Sequence, residues 1–98
     1  MNFINILKRI AQSPEIFIGE RSIKRLDGFL CGYAVCLQDH GLKDADELNF
    51  QGFQNFVNKK YSTNKRWTRM LLELFGDEYN AFNEFVQLLN EYLKENDI

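Results

Sequence analysis

Apolar residues recur at spacings of three and four along most of the chain, and nowhere do β-branched residues alternate over a strand's length. Phe3, Ile4, Leu7 and Ile10 set the pattern, and Ile23, Leu26, Leu30, Tyr33 and Leu37 continue it. A period near 3.6 places such residues on one face of a helix, and each helix must bury that face against another. The expectation is an all-α protein. Its 98 residues suffice for one helical domain spanning 1–98, near the lower end of what sustains a core. Apolar residues make up 45% of the chain and include nine Phe, which is ample core material and argues against disorder.

Boundary residues divide the pattern into about five helices. The first runs from Asn2 to Gln12 and ends at Ser13-Pro14, because the residue before proline is pushed out of helical geometry. The second runs over about 22–40, capped by Ser22 and stopped at His40-Gly41. Phe50, Phe53, Phe56, Val57 and Tyr61 define a third helix, and Trp67, Met70, Leu71, Leu74 and Phe75 a short fourth closed by Gly76. Asp77 caps a fifth, with Phe82, Phe85, Val86, Leu89 and Leu93 on one face. Within the second helix the run FLCGYAVCL is apolar nearly all round, which predicts cover on more than one side. Gly28 and Gly32 each cost about 1 kcal/mol relative to alanine inside a helix, so close approach of another backbone is expected there. The predicted architecture is a compact single-domain bundle around this central helix.

Charge and cysteine usage restrict the function classes. Cys31 and Cys36 lie five residues apart on one helix, about 140° apart in direction, and cannot bridge to each other. With no second pair they make no zinc signature, and buried free thiols in a reducing, cytoplasmic compartment are the expectation. No run approaches the roughly 18 apolar residues of a membrane span, and the N-terminal segment reads as an amphipathic helix rather than a signal peptide. The net charge is −2. Lys59, Lys60, Lys65, Arg66 and Arg69 form a basic block interleaved with Tyr61 and Trp67, the residue mix of a nucleic-acid surface. The acidic balance of the whole chain and the core phase of Trp67 argue against direct nucleic-acid binding.

Catalytic and cofactor signals are sparse. Cys36 and His40 share a helical face, but no orienting acid or oxyanion hole accompanies them, and a His at a helix C-terminus interacts favourably with the dipole. Asp44, Asp46 and Glu47 lack the twelve-residue calcium loop and its closing glutamate, so turn formation and capping are their expected roles. No glycine-rich phosphate loop occurs. The reading is a non-enzymatic protein with no catalytic residue, cofactor or metal.

In the order of its elements the chain resembles small helical immunity proteins found beside bacterial polymorphic and contact-dependent growth inhibition toxins. A short helix leads to SPEIFIGERSIKRLDGFLCGY, then FQGFQNFVNKKY, then KRWTRMLLELFGDEYNAFNEFVQLLNEYL, nearly the full length. The resemblance implies an antitoxin that binds a cognate toxin domain, often a nuclease, in the cytoplasm of the producing cell and blocks its active or substrate-binding surface. A basic toxin cleft would meet an acidic patch. The expected contact residues are Asp39, Asp44, Asp46 and Glu47 in the connector and Glu84 and Glu91 on the last helix, with Tyr61 and Tyr79 as aromatic anchors. In so small a domain the apolar connector Ile16-Phe17-Ile18 is expected to fold under the central helix, with Phe17 and Ile18 as plugs and Gly19 turning the chain. The alternative is a helical adaptor or regulator that contacts nucleic acid through the 59–69 segment.

Overall fold

The computed structural model describes residues 3–41 and 52–97, and among them the chain forms six helices and no strand. Helix α1 (Phe3–Gln12) buries Phe3, Ile4, Leu7 and Ile10, the stripe that its spacing requires. Pro14 does not merely stop it. It begins a one-turn helix α2 (Pro14–Phe17), where a missing N–H costs nothing because first-turn amides have no helical acceptor. This extra turn accounts for six helices where five are expected. Gly19 then adopts φ 91°, a left-handed conformation that lets the chain turn toward Ser22.

Helix α3 (Ile23–Asp39) starts as expected, with the Ser22 side chain accepting from Arg25 N at 3.2 Å. Helix α4 (Phe53–Tyr61) and helix α5 (Trp67–Phe75) follow, the latter closed by Gly76. Helix α6 (Glu78–Glu95) is capped by Asp77, whose carboxylate accepts from Asn80 N at 2.8 Å.

Helix α6 packs against α3, α4 and α5 and buries Ala81, Phe82, Phe85, Leu88, Leu89, Tyr92 and Leu93. Phe53 of α4 is fully buried at the centre of this face. Its ring stands edge-on to Trp67 at 5.0 Å, Tyr92 at 5.4 Å and Phe85 at 6.0 Å, while Trp67 stacks on Phe85 at 5.2 Å. Each such pair contributes about 0.5–1.5 kcal/mol beyond the area it buries. Buried Ser22 ties the start of α3 to the start of α6 by donating to Glu78 Oε1 at 2.8 Å. Arg21 adds a bond to Asn83 Oδ1 at 3.0 Å.

The apolar connector behaves partly as a plug. Pro14 is buried, Phe17 and Ile18 are half-buried against the core, and the Arg9 guanidinium lies 5.0 Å from the Phe17 ring centre. Ile16 turns outward and is 79% exposed.

The helix expected at 22–40 is present, but its cover differs from the expectation. Ile23 and Leu26 are buried, whereas Phe29, Leu30, Tyr33 and Leu37 are half-buried and Val35 is 55% exposed. A side chain added at Gly28 or Gly32 would meet no atom of the described residues within 4 Å, so none of their backbone crosses closely at either glycine. Cys31 and Cys36 are free as expected, but exposed rather than buried. The all-round apolar run is therefore covered on one side only by the described residues.

Gly28→Ala and Gly32→Ala are accordingly expected to stabilise the protein, by about 0.5–1 kcal/mol each, through helix propensity without a clash. Phe53→Ala is expected to cost about 3–5 kcal/mol. Urea midpoints of the three variants against wild type check both statements.

Candidate interaction surface

Cys36 Sγ lies 4.0 Å from His40 Nδ1, but that nitrogen is also 2.9 Å from the Cys36 carbonyl oxygen. A carbonyl only accepts, so Nδ1 carries a proton toward it and has no lone pair to take the thiol's. The pair caps the helix end. No group of three metal-ligating side chains occurs among the described residues, and none of their helices is long and apolar enough to cross a membrane.

The expected contact residues separate into three groups. Asp44, Asp46 and Glu47 lie outside the described residues. Asp39 is exposed in the last turn of α3. Glu84 and Glu91 are engaged within the protein: the Tyr61 hydroxyl donates to Glu84, and Lys60 Nζ donates to Glu91 at 2.6 Å. Together they stitch α4 to α6. Burial, followed by the hydrogen bond and charge of Glu84 and the charge of Glu91, pushes the Tyr61 phenol well above its ordinary pKa.

The basic block is folded down in the same way. Lys65 Nζ reaches Glu73 at 2.6 Å and Arg69 Nε reaches it at 3.2 Å, hydrogen bonds that hold the Glu73 carboxyl below the usual range. Arg66 Nη2 pairs with Asp27 Oδ1 at 2.5 Å. Exposed pairs of this kind contribute little stability, but they neutralise charge that a partner would otherwise meet. Trp67 is buried, and its backbone N–H donates to Gln54 Oε1 at 2.9 Å.

Tyr79 has a different setting from Tyr61. It is 57% exposed and stands on the rim of a hollow of about 460 Å³ lined by Glu15, Glu20, Arg21, Asp77, Glu78 and Tyr79. Helix α2 supplies Glu15, the following turn supplies Glu20 and Arg21, and the start of α6 supplies the rest. Arg21 is held at the hollow's inner side, 5.9 Å from the Tyr79 ring centre and 5.8 Å from that of Phe82, with Glu15 at 3.8 Å. Four carboxylates and one guanidinium thus line the hollow; Glu15 pairs with Arg21, Glu20 pairs with Arg25 at 3.2 Å, and exposed Ile16 is adjacent in the chain. Sequence reading found Tyr79 but missed Glu15 and Glu20, which look there like counter-ions of the basic N-terminal run. Asp77 was legible only as a cap.

No family model matches the chain, and no curated protein or solved structure matches it significantly.

Tyr61→Phe is expected to cost about 1.5 kcal/mol near neutral pH, the lower end of the net worth of a hydrogen bond to a charged acceptor, because the pair is only partly buried. With a folded-state pKa above the unfolded value near 10, Tyr61 contributes stability that is complete below about pH 10 and falls as pH rises toward the folded value. Tyr92, also raised by burial, adds a slope of the same sign. Urea unfolding from pH 8 to pH 11 should therefore show a shallower alkaline decline in Tyr61→Phe than in wild type.

Proposed function

We propose that the protein is an immunity protein that binds a cognate bacterial toxin in the cytoplasm of the producing cell and neutralises it by covering its active or substrate-binding surface. The resemblance in element order carries the family reading. The surface reading rests on one observation: a mainly acidic hollow lined by an exposed aromatic, Tyr79, with an exposed aliphatic, Ile16, next in the chain to its lining residue Glu15. Large apolar anchors beside a surplus of negative charge suit a basic protein partner, with the anchors supplying affinity and the charges steering encounter. A nuclease, whose substrate cleft is basic, is the first toxin class to test.

The adaptor alternative has less support. Lys60, Lys65, Arg66 and Arg69 are ion-paired within the protein and Trp67 is buried, which leaves no extended strip of free cations and stacking rings along 59–69.

The test is capture of the neighbouring gene's product by the purified protein, followed by binding measurements on two sets of variants. Glu15→Lys with Glu20→Lys should slow association and increase its salt dependence. Tyr79→Ala should weaken binding by about 2 kcal/mol, roughly thirtyfold in Kd. Reversing Asp44, Asp46 and Glu47 together is the comparison. If that set alone abolishes binding and protection of growing cells, the connector is the contact surface and the hollow is not.

A further inference from the structure

We propose that a second hollow, between the first half of α3 and the N-terminus of α5, binds a phosphate group. It encloses about 210 Å³ and shares no lining residue with the acidic hollow, and the inference does not rest on the toxin reading. Its volume is several times the roughly 30 Å³ that one water occupies.

Helix α5 is nine residues long and no side chain caps its N-terminus. The Trp67 amide is taken by Gln54, and the first bond into the helix runs from Met70 N to Arg66 O at 2.9 Å. The amides of Thr68 and Arg69, between these two, have no acceptor among the described residues. Adjacent free amides at the positive end of a helix dipole are the ordinary means of holding a phosphate.

Thr68 supplies an independent sign of a ligand. It is only 5% exposed, lines the hollow, and its hydroxyl has no hydrogen-bond partner among the described residues. Because no side-chain oxygen of the described residues is sealed off without a partner, that hydroxyl keeps some access to solvent, and Thr68 lines the hollow. A hydroxyl with so little access to solvent has room for few water partners, and an oxygen ligand in the hollow would hydrogen-bond to it.

The charges agree. Lys24, Arg66 and Arg69 line the hollow; Asp27 pairs with Arg66 and Glu73 with Arg69, which leaves one positive charge unmatched in a protein of net charge −2. Arg66 commits Nη2 to Asp27 and Arg69 commits Nε to Glu73, so each guanidinium, with five N–H donors, keeps others free. Cations at a helix N-terminus oppose its dipole, an arrangement that a bound anion relieves. Ile23 and Leu72 complete the wall with apolar surface, which strengthens charge interactions by excluding water.

The test is titration of isotope-labelled protein with inorganic phosphate, at ionic strength held constant with chloride, read by amide NMR shifts. Saturable shifts centred on Thr68 and Arg69 are expected. Thr68→Val, which keeps the shape and removes the hydroxyl, should weaken binding about tenfold. Lys24→Gln, at an exposed position, should weaken it as well and decides the matter if Thr68→Val fails to fold. Adenosine monophosphate forms a second arm: tighter binding than inorganic phosphate assigns the hollow to an organic phosphate ester, and equal or weaker binding assigns it to the free anion. Shifts that do not saturate, that chloride alone reproduces, or that both variants leave unchanged would overturn the proposal.

Discussion

The edge-on packing of Phe53 against Trp67, Phe85 and Tyr92 joins α4, α5 and α6 and fixes where α5 begins. Helix α4 has only nine residues and buries little besides Phe53 and Val57, too short a stripe to hold it in place by periodicity alone. Once the ring is seated, Gln54 in the next position accepts from Trp67 N and donates to the Lys65 carbonyl, which sets the direction in which α5 begins. The Tyr61–Glu84 and Lys60–Glu91 bonds then close the α4–α6 seam. A core contact thus reaches the surface in two steps, and the amides of Thr68 and Arg69 point where Gln54 has aimed the helix.

The starts of α6 and α5 make an instructive contrast. Asp77 and Glu78 lie at the positive end of the α6 dipole, where negative charge is favourable without any ligand. Ser22 adds a brace there, accepting from Arg25 N and donating to Glu78. That surface is complete in the isolated protein and suits a partner that docks onto a preformed shape. Helix α5 begins among cations, with an uncapped end and an unpaired hydroxyl. One helix start is satisfied by its own chain, and the other is left with spare donors.

The helices were legible because each repeats its period over at least two turns and stops at a residue with a physical reason to stop it. Helix α2 was not, since four residues carry no period and Pro14 reads equally well as a terminator. The cover of α3 was illegible for another reason: the run FLCGYAVCL states what the helix can bury, not whether anything arrives to bury it. Tyr61 and Tyr79 were equivalent as sequence, and only the fold separates a tyrosine bonded to Glu84 from one more than half exposed. Likewise Arg66 finds Asp27 and Lys60 finds Glu91 across 39 and 31 positions, separations at which charge pairing leaves no local pattern. The acidic hollow joins Glu15 to Tyr79 and was invisible for the same reason.

The two exposed thiols of α3 have a consequence for the protein as a material. Cys31 and Cys36 are both free and accessible, yet they point too far apart to close a ring within one chain. A surface with one thiol would end its oxidation as a dimer. With two divergent thiols, each molecule is a bifunctional monomer in the polymer chemist's sense, and its oxidation products extend beyond a singly bridged dimer to doubly bridged rings and open strings. Reductant, or replacement of either cysteine by serine, acts as the chain stopper.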